Sequence, residues 1–330
     1  MIDLKTYGYK DILPENKTIA RITAVFRERY EIISTNGISH ARLKASTYYH
    51  GNDQISFPTV GDFVEINHVE HGDSIIVDTL ERKTFFSRPD PSTNHKTIQM
   101  VAANFDYVFI VMSLNKDFNL RRLERYLTLS WESGAQPIVI LTKADLVDDF
   151  SEMLYDAKNI AIGANVFAVS SITGLGMDEL KNSLSAEDTI VFMGSSGVGK
   201  SSLVNALAND NIMKVSSIRE DDSKGRHTTT HRQLSKLDNG ILVIDTPGMR
   251  ELGMGEISSG LTNSFGEIES LFAECKFRNC SHKTEPGCAV QEALSNGQLS
   301  EERWQSYIKL KKEERYLESK AAKKNRKRRK

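Results

Sequence analysis

The segment from Gly194 to Ser202 has the residue types and spacing of a phosphate-binding loop. It matches G-x-x-x-x-G-K-[ST], with Gly199, Lys200 and Ser201 in the required places. Glycines let the backbone turn its amide hydrogens inward, so that they and the following helix N-terminus bind polyphosphate. We predict that Lys200 reaches the β- and γ-phosphates and that the Ser201 hydroxyl ligates Mg²⁺. The other predicted contacts are Gly194, Ser195, Ser196, Gly197, Val198 and Ser202.

Two further polar segments each follow an apolar run that we interpret as a strand of a parallel sheet, whose carboxyl ends collect ligand-binding residues. In Asp245-Thr-Pro-Gly248, the aspartate is predicted to hold Mg²⁺ and the Gly248 amide to contact the γ-phosphate. In Thr142-Lys-Ala-Asp145, the carboxylate is predicted to accept hydrogen bonds from guanine N1 and N2, while the Lys143 stem covers the base. Because adenine lacks both donors, Asp145 predicts a preference for GTP over ATP.

Ser170-Ser-Ile-Thr-Gly174 also follows an apolar run, and its amides and hydroxyls suit the guanine O6 edge. Each loop is common by itself, but together with the phosphate-binding loop they indicate a GTP site. Thr142 stands where most GTPases have asparagine, which we expect to weaken the scaffold of the base loop and to leave Asp145 in place. The base contacts are thus predicted to be Thr142, Lys143, Ala144, Asp145, Ser170 and Ser171.

The polar segment Ser223–Arg232 is placed where a switch loop should lie. One threonine of the three at 228–230 is expected to complete the Mg²⁺ shell; we take Thr229, and the other two stay open. Met249 occupies the position of the water-orienting glutamine of Ras-like enzymes, so basal hydrolysis should be slow. His227 can orient the attacking water instead, or contact a partner. The predicted catalytic residues are Lys200, Ser201 and His227.

The order of these motifs is rearranged relative to most small GTPases. The two base loops come about fifty and twenty residues before the phosphate-binding loop, whereas they usually follow it. Such a rearrangement can keep the same sheet when the old termini lie close together. The chain is therefore predicted to be a circularly permuted GTPase.

Hydrophobic periodicity predicts several domains, in keeping with a length of 330 residues. Short alternating runs predict five strands of a closed, OB-type β-barrel: Thr18–Phe26, Tyr30–Ile33, Ile38–Leu43, Asp62–Ile66 and Ser74–Asp78. Near-continuous apolar runs predict strands buried on both faces of a sheet: Tyr107–Met112, Pro137–Leu141, Ala164–Val169, Thr189–Met193 and Gly240–Ile244. Asn119–Leu129 has the periodicity of a helix. We predict an RNA-binding OB-type barrel at 1–88, an α/β P-loop GTPase domain at 89–253, and a mostly helical zinc-binding domain with a basic tail at 254–330.

The charge distribution restricts where nucleic acid can bind. With 43 basic and 44 acidic residues, any such affinity must come from a local patch. Basic residues of the barrel region either face a nucleic-acid backbone or form an ordinary solvated surface: Arg21, Arg27, Arg29, Arg42 and Lys44. The last ten residues carry seven basic side chains, whose expected partner is phosphate backbone.

All three cysteines lie close together, with a histidine among them. Three thiolates and an imidazole form the donor set of a closed tetrahedral zinc site, and an odd number of cysteines does not favour a disulfide framework. The predicted zinc ligands are Cys275, Cys280, His282 and Cys288. Without a leader or a long apolar run, we expect a cytosolic protein. Trp304 and Tyr307 are expected to pack within a helix that follows.

The chain resembles one family, on the barrel, on the permuted GTPase motifs with Gly-Arg-His-Thr-Thr-Thr230 and Asp245-Thr-Pro-Gly-Met-Arg250, and on the Cys-x4-Cys-x-His-x5-Cys spacing. This is the RsgA family, also called YjeQ or YloQ, of bacterial GTPases in small ribosomal subunit biogenesis. The resemblance implies a monomeric late assembly factor that binds the 30S subunit and its 16S rRNA in the GTP form. Hydrolysis stimulated there would leave GDP and favour release.

Two hypotheses follow for the role of the nucleotide. In the first, the protein is a slow GTPase whose hydrolysis resets RNA binding. In the second, it is a binding module in which nucleotide only stabilises an RNA-bound conformation. Single-turnover hydrolysis with and without 30S subunits separates them.

Overall fold

The computed structural model describes residues 1–14, 16–26, 29–44, 57–89, 98–115, 117–208, 232–245, 258–312 and 315. These belong to two compact units. The first consists of residues 1–118, 134–155 and 164–253, and the second of residues 119–133, 156–163 and 254–330. The predicted division into three domains stays a prediction.

Five strands near the N-terminus close into a barrel: β1 (Thr18–Val25), β2 (Tyr30–Ser34), β3 (Gly37–Leu43), β4 (Phe63–Asn67) and β5 (Ser74–Thr79). They pair in the order β1-β2-β3-β5-β4, and β4 pairs back onto β1. Every pairing is antiparallel except β3 with β5. Ile22, Ile32, Ile66 and Ile76 fill the interior. The predicted OB-type barrel is confirmed, with strand ends that differ by one residue from those expected.

Eight further strands are described in the first unit, and the last six of them build the sheet that carries the predicted nucleotide site. They are β6 (Phe85–Pro89), β7 (Ile98–Ala103), β8 (Tyr107–Ser113), β9 (Gln136–Thr142), β10 (Asn165–Ala168), β11 (Thr189–Met193), β12 (Arg232–Lys236) and β13 (Leu242–Asp245). Strands β10, β9, β8, β11 and β13 are parallel in that order. Their apolar runs are continuous because both faces are buried, as at Phe109, Ile140 and Val191. The α/β prediction is confirmed.

Three strands were not predicted from the sequence. Strands β6 and β7 form a separate antiparallel pair. Strand β12 is antiparallel and lies between β13 and the barrel strand β1. The pairing of β1 with β12 joins the barrel and the α/β sheet into one sheet of eleven strands.

The structure corrects the expectation that Arg21 belongs to a basic surface. Its side chain is fully buried. The guanidinium donates to the carbonyls of Tyr7 (2.5 Å) and Asn104 (2.7 Å) and to Thr189 Oγ1 (3.1 Å), and these bonds replace those that water would make. Burial lowers the pKa of Arg21 to about 10. Of the other candidates, Arg29 and Arg42 are exposed and both pair with Asp73, Lys44 is exposed, and Arg27 lies outside the described residues.

Helices complete the described chain: α1 (Leu120–Glu132), α2 (Ser151–Ile160), α3 (Met177–Asn182), α4 (Lys200–Ala208), α5 (Ser258–Glu274), α6 (Ala289–Ser295) and α7 (301–312). Helix α1 begins after Asn119, whose side chain accepts from the Arg122 amide at 2.9 Å. Within the second unit, α1 packs against α5. Trp304 and Tyr307 of α7 are buried and stack with ring centroids 5.7 Å apart, so they are packing residues. Among the described helices, none has the length and apolar character needed to cross a membrane.

Candidate nucleotide-binding and metal sites

The predicted phosphate-binding loop connects β11 to α4, which begins at Lys200. Gly194, Gly197 and Gly199 have positive φ angles of 147°, 77° and 99°. A Cβ on Gly194 would lie 2.3 Å from the Val111 carbonyl oxygen, so the first glycine is required by space as well as by conformation. The Lys200 ammonium donates to the carbonyls of Gly194 (2.8 Å) and Ser195 (2.5 Å). The loop therefore has the compact form that a phosphate cradle needs.

The first base loop lies beside this loop and is bonded to it. Thr142, at the end of β9, is buried, and its hydroxyl lies within hydrogen-bonding distance of the Val198 carbonyl and, at 3.2 Å, of the Met112 carbonyl. The Lys143 ammonium donates to the Gly197 carbonyl at 2.7 Å. The Thr142 hydroxyl thus connects the two loops, and the expectation that a threonine at 142 weakens this scaffold relative to asparagine stays a prediction.

Asp145 stands in a short 3₁₀ turn, Ala144–Leu146, directly after Lys143. Lys143 itself has a left-handed backbone, with φ of 61°. The Asp145 side chain is exposed, and no other residue of the described chain bonds to its carboxylate. Its oxygens are thus available to an incoming base.

The second base loop is held against the first. The Ala144 amide donates to the Val169 carbonyl at 3.2 Å. Ser170 is buried, and its Oγ accepts from the amides of Ile172 and Thr173, both at 3.2 Å. The structure thus brings together the predicted base residues at 142–145 and 170–171 and the phosphate loop at 194–202, although they are separate in sequence.

The metal and switch residues are only partly described. Strand β13 ends at Asp245 and runs parallel to β11, with Val191 opposite Ile244. The backbone of Asp245 therefore ends beside the strand that leads into the phosphate loop. Its side chain, and the predicted residues His227, Thr229 and Gly248, lie outside the described part of the chain.

The three cysteines and His282 form one cluster, in which one ligand atom from each residue lies within 4.8 Å of the other three. His282 Nδ1 is 3.5 Å from Cys275 Sγ and 3.6 Å from Cys288 Sγ, and these two sulfurs are 4.0 Å apart. With Zn–S bonds of about 2.3 Å, the edges of a tetrahedral site are about 3.8 Å. The donor set and its spacing both fit one zinc ion.

The surroundings of the cluster orient its ligands. The Phe272 ring stacks on His282 with centroids 4.2 Å apart, and the His282 carbonyl accepts from Gln291 at 2.8 Å. Burial lowers the pKa of His282, which favours the neutral imidazole that ligates metals. Glu285 was not predicted from the sequence. Its carboxylate accepts from the Ser281 hydroxyl and amide, and these bonds lower the pKa of Glu285. No sequence motif indicates that this carboxylate holds the loop that carries the predicted zinc ligands.

Several known proteins are similar to this chain. The family model for the RsgA GTPase matches residues 79–255. The Listeria innocua protein named small ribosomal subunit biogenesis GTPase RsgA 1 is 48% identical over 318 residues, 95% of this chain and 90% of that protein. A Lactiplantibacillus plantarum protein named small ribosomal subunit biogenesis GTPase RsgA 2 is 43% identical over 314 residues, 95% of this chain and 88% of that protein.

Two solved structures have a similar fold. The crystal structure of YjeQ from Thermotoga maritima has a TM-score of 0.67 at 26% identity, covering 90% of this chain and 98% of that one. The structure of YloQ, described as a circularly permuted GTPase, has a TM-score of 0.63 at 26% identity, covering 91% and 96%. These matches confirm the resemblance, the fold class and the hydrolase prediction. The chain therefore belongs to the RsgA GTPase family.

Proposed function

We propose that this GTPase acts in late maturation of the 30S ribosomal subunit. It binds the subunit in the GTP state, hydrolyses GTP to GDP and phosphate there, and is then released. The observation that supports the nucleotide part is the bonding of Thr142 and Lys143 to the loop at 194–202. The carboxylate that we propose to read guanine and the loop that we propose to bind phosphate thus belong to one edge of one sheet. The ribosomal part is supported by the names of the relatives.

Each predicted residue has a role in this scheme. Lys200 and the loop amides bind the β- and γ-phosphates. Mg²⁺ would be held by Ser201, Thr229 and Asp245, and would neutralise charge that develops on the phosphates. His227 would orient the attacking water, since Met249 has no polar group.

The partners are proposed from the parts of the chain outside the GTPase sheet. The barrel and the zinc-binding region would contact 16S rRNA, and the seven basic residues of 321–330 would add phosphate contacts. One structural Zn²⁺ on the cysteine–histidine cluster would hold its loops in place. We propose that the protein works as a monomer in the cytoplasm.

Single-turnover GTP hydrolysis tests the proposal, measured alone, with purified 30S subunits and with 50S subunits as a control for nonspecific ribosomal RNA. Only the 30S subunits should raise the rate, and His227→Ala should lower the stimulated rate while GDP affinity holds. An unchanged rate with 30S would favour the alternative of a binding module in which turnover is incidental. Co-sedimentation with 30S should be stronger with a non-hydrolysable GTP analogue than with GDP.

A further inference from the structure

His282 has an unusual backbone conformation for a residue other than glycine. Its φ angle is 60°, one of four positive values at non-glycine residues of the described chain. A left-handed backbone is uncommon for such residues, because the Cβ atom crowds the following carbonyl oxygen. The same residue supplies the imidazole among the predicted zinc ligands. Contacts with its surroundings must therefore hold the backbone at this ligand.

The Glu285 carboxylate bonds to the chain on both sides of His282. Glu285 Oε1 accepts from the Ser281 amide at 2.9 Å and from the Ser281 hydroxyl at 2.5 Å. Glu285 Oε2 accepts from the amides of Lys283 and Thr284, both at 3.1 Å. Amides that converge on one anion form the concave arrangement with which many proteins bind phosphate. In this loop the anion is a side chain of the protein itself, so the loop is closed around Glu285.

Two further contacts fix the carbonyl and the ring of His282. The carbonyl accepts from Gln291 Nε2 at 2.8 Å, which restrains the peptide that follows the histidine. The ring stacks on Phe272 with an interplanar angle of 18°. The imidazole Nδ1 lies 3.5 Å from Cys275 Sγ and 3.6 Å from Cys288 Sγ. Neither of the two contacts reaches the residue that precedes the histidine, so the bonds of the carboxylate are needed there.

We propose that Glu285 is a positioning residue of the metal site, which holds the loop in the shape that directs the His282 imidazole at the three thiolates. The inference rests on the proposed zinc site and gives a role in it to a residue that is not a ligand. A carboxylate suits this role because its two oxygens can accept four hydrogen bonds, whereas a side-chain amide has only one accepting oxygen. Contacts that orient a ligand change metal affinity by about 10- to 100-fold.

Glu285→Gln tests the proposal with little change of shape, because the new amide nitrogen cannot accept the bonds that a carboxylate oxygen accepts. We expect the affinity for Zn²⁺, measured by competition with a chelator, to fall about 10-fold or more. Glu292→Gln is the matched control, since it removes an equal charge from an exposed side chain four residues after Cys288. Salt screens exposed charges, so this control should keep the Zn²⁺ affinity within about two-fold of the wild type.

A double-mutant cycle shows whether Glu285 acts through the histidine. His282→Asn removes the imidazole and introduces a residue type that tolerates a left-handed backbone. In that background Glu285→Gln should change the Zn²⁺ affinity by less than about two-fold, because there is no imidazole left to position. An equal loss in both backgrounds would show that Glu285 acts by its charge or by supporting the fold. That result would overturn the inference, as would an unchanged affinity in Glu285→Gln alone.

Co²⁺ in place of Zn²⁺ gives an independent measurement, since its absorption spectrum depends on which ligands bind it. At full occupancy, the spectrum of Glu285→Gln should shift towards that of His282→Asn, and a spectrum of wild-type shape would contradict the proposal. Far-ultraviolet circular dichroism shows that each variant is folded. If the wild type bound neither metal, the zinc site itself would be refuted. A wild-type site that tolerates Glu285→Gln would refute only the role of this carboxylate.

Discussion

At the scale of single residues, Asp145 is the predicted reader of the base, and its carboxylate is exposed and has no bonded partner in the described chain. Replacing Asp145 should therefore change nucleotide recognition and leave the stability of the folded protein unchanged. Asp145→Asn puts an amide donor against the N–H groups of guanine, so GTP and GDP should both lose affinity by at least about 100-fold. Xanthine carries an oxygen where guanine has its amino group, and XDP should gain affinity. Binding of GDP, XDP and ADP to both proteins measures this.

An unaltered melting temperature serves as the control for that variant. If Asp145→Asn retained its preference for GDP over XDP, another residue would have to read the base. Asp238→Asn is a matched replacement of an aspartate on the turn between β12 and β13, and it should leave all three affinities unchanged.

The role of a residue was predictable where it depends on neighbours in the sequence. It was not predictable where it depends on partners that are far away in the sequence. The glycines and Lys200 of the phosphate loop are recognisable because their spacing alone builds a cradle. Arg21 stands in an alternating strand, and only the distant carbonyls of Tyr7 and Asn104 reveal that it is buried. The role of Thr142 was predicted by comparison with the asparagine that most GTPases have at this position. The sequence around Thr142 does not show that the Val198 carbonyl lies within reach of its hydroxyl.

At the scale of elements, strands with their own hydrophobic pattern were predicted and strands defined by their neighbours were missed. The barrel strands alternate and the central strands are continuously apolar, so both patterns identify them. Strand β12 reads Arg-Gln-Leu-Ser-Lys, and only Leu234 is fully buried in it. Its strand conformation depends on hydrogen bonds to β1 and β13, which a single-sequence pattern does not contain.

The cysteine–histidine cluster should control the packing around it through zinc. Chelation, or Cys288→Ala, should remove one zinc per chain and disturb the aromatic residues that surround His282, since Trp304 lies 6.0 Å from that ring. The chain has two tryptophans, Trp131 and Trp304, so intrinsic fluorescence follows this change. GDP affinity should stay within about two-fold, because no predicted nucleotide contact belongs to the cluster. Full zinc content in Cys288→Ala would contradict the assignment, and Ser295→Ala is the control.

A buried ion pair belongs to a set of contacts that connects three helices of the second unit. Arg303 on α7 bonds Glu124 of α1 at 2.8 Å and Glu267 of α5 at 2.7 Å, and it also donates to the Ser264 carbonyl. Glu124 is only 4% exposed, and burial raises its pKa, so this carboxylate depends on its cationic partner. Arg303→Met should therefore lower the free energy of unfolding by about 3–5 kcal/mol.

The double variant Glu124→Leu/Arg303→Met separates a lost ion pair from a lost contact surface. Two apolar side chains should recover most of the stability, because no buried charge is then left alone. Lys309→Met, an exposed change on the same helix, should alter stability by less than about 0.5 kcal/mol. Denaturant unfolding followed by tryptophan fluorescence measures all three, and a double variant as unstable as Arg303→Met would contradict this account.

At the scale of the whole first unit, the barrel is continuous with the nucleotide-binding sheet. Val25 of β1 pairs with Arg232 of β12, and Arg232 is also the last residue of the predicted switch segment. A Cβ on Gly61 would lie 2.0 Å from the Ala103 carbonyl oxygen, so the barrel approaches the strand before β8 as closely as backbone allows. If the predicted switch segment changes conformation, β12 is the strand that would pass the change to the barrel.

Arg21 lies where these parts meet, and its replacement should uncouple them. Its guanidinium connects the barrel strand β1 to Asn104 before β8 and to Thr189 at the start of β11. Arg21→Met would leave buried carbonyls without donors, at about 1–3 kcal/mol each, so the free energy of unfolding should fall by at least about 3 kcal/mol. Arg29→Met removes the same charge from an exposed side chain of the barrel and should cost less than about 1 kcal/mol.

Hydrogen exchange distinguishes uncoupling from simple destabilisation. Bound GDP stabilises every segment that unfolds cooperatively with the nucleotide site. If the barrel unfolds with that site in the wild type, GDP should slow hydrogen exchange of the amides of Ile32 and Ile33 in the barrel. In Arg21→Met, GDP should still protect Val191 and Phe192 of β11 while the barrel amides no longer respond. Barrel amides that respond to GDP equally in both proteins would show that the pairing of β1 with β12 alone carries the coupling, and that Arg21 contributes stability only.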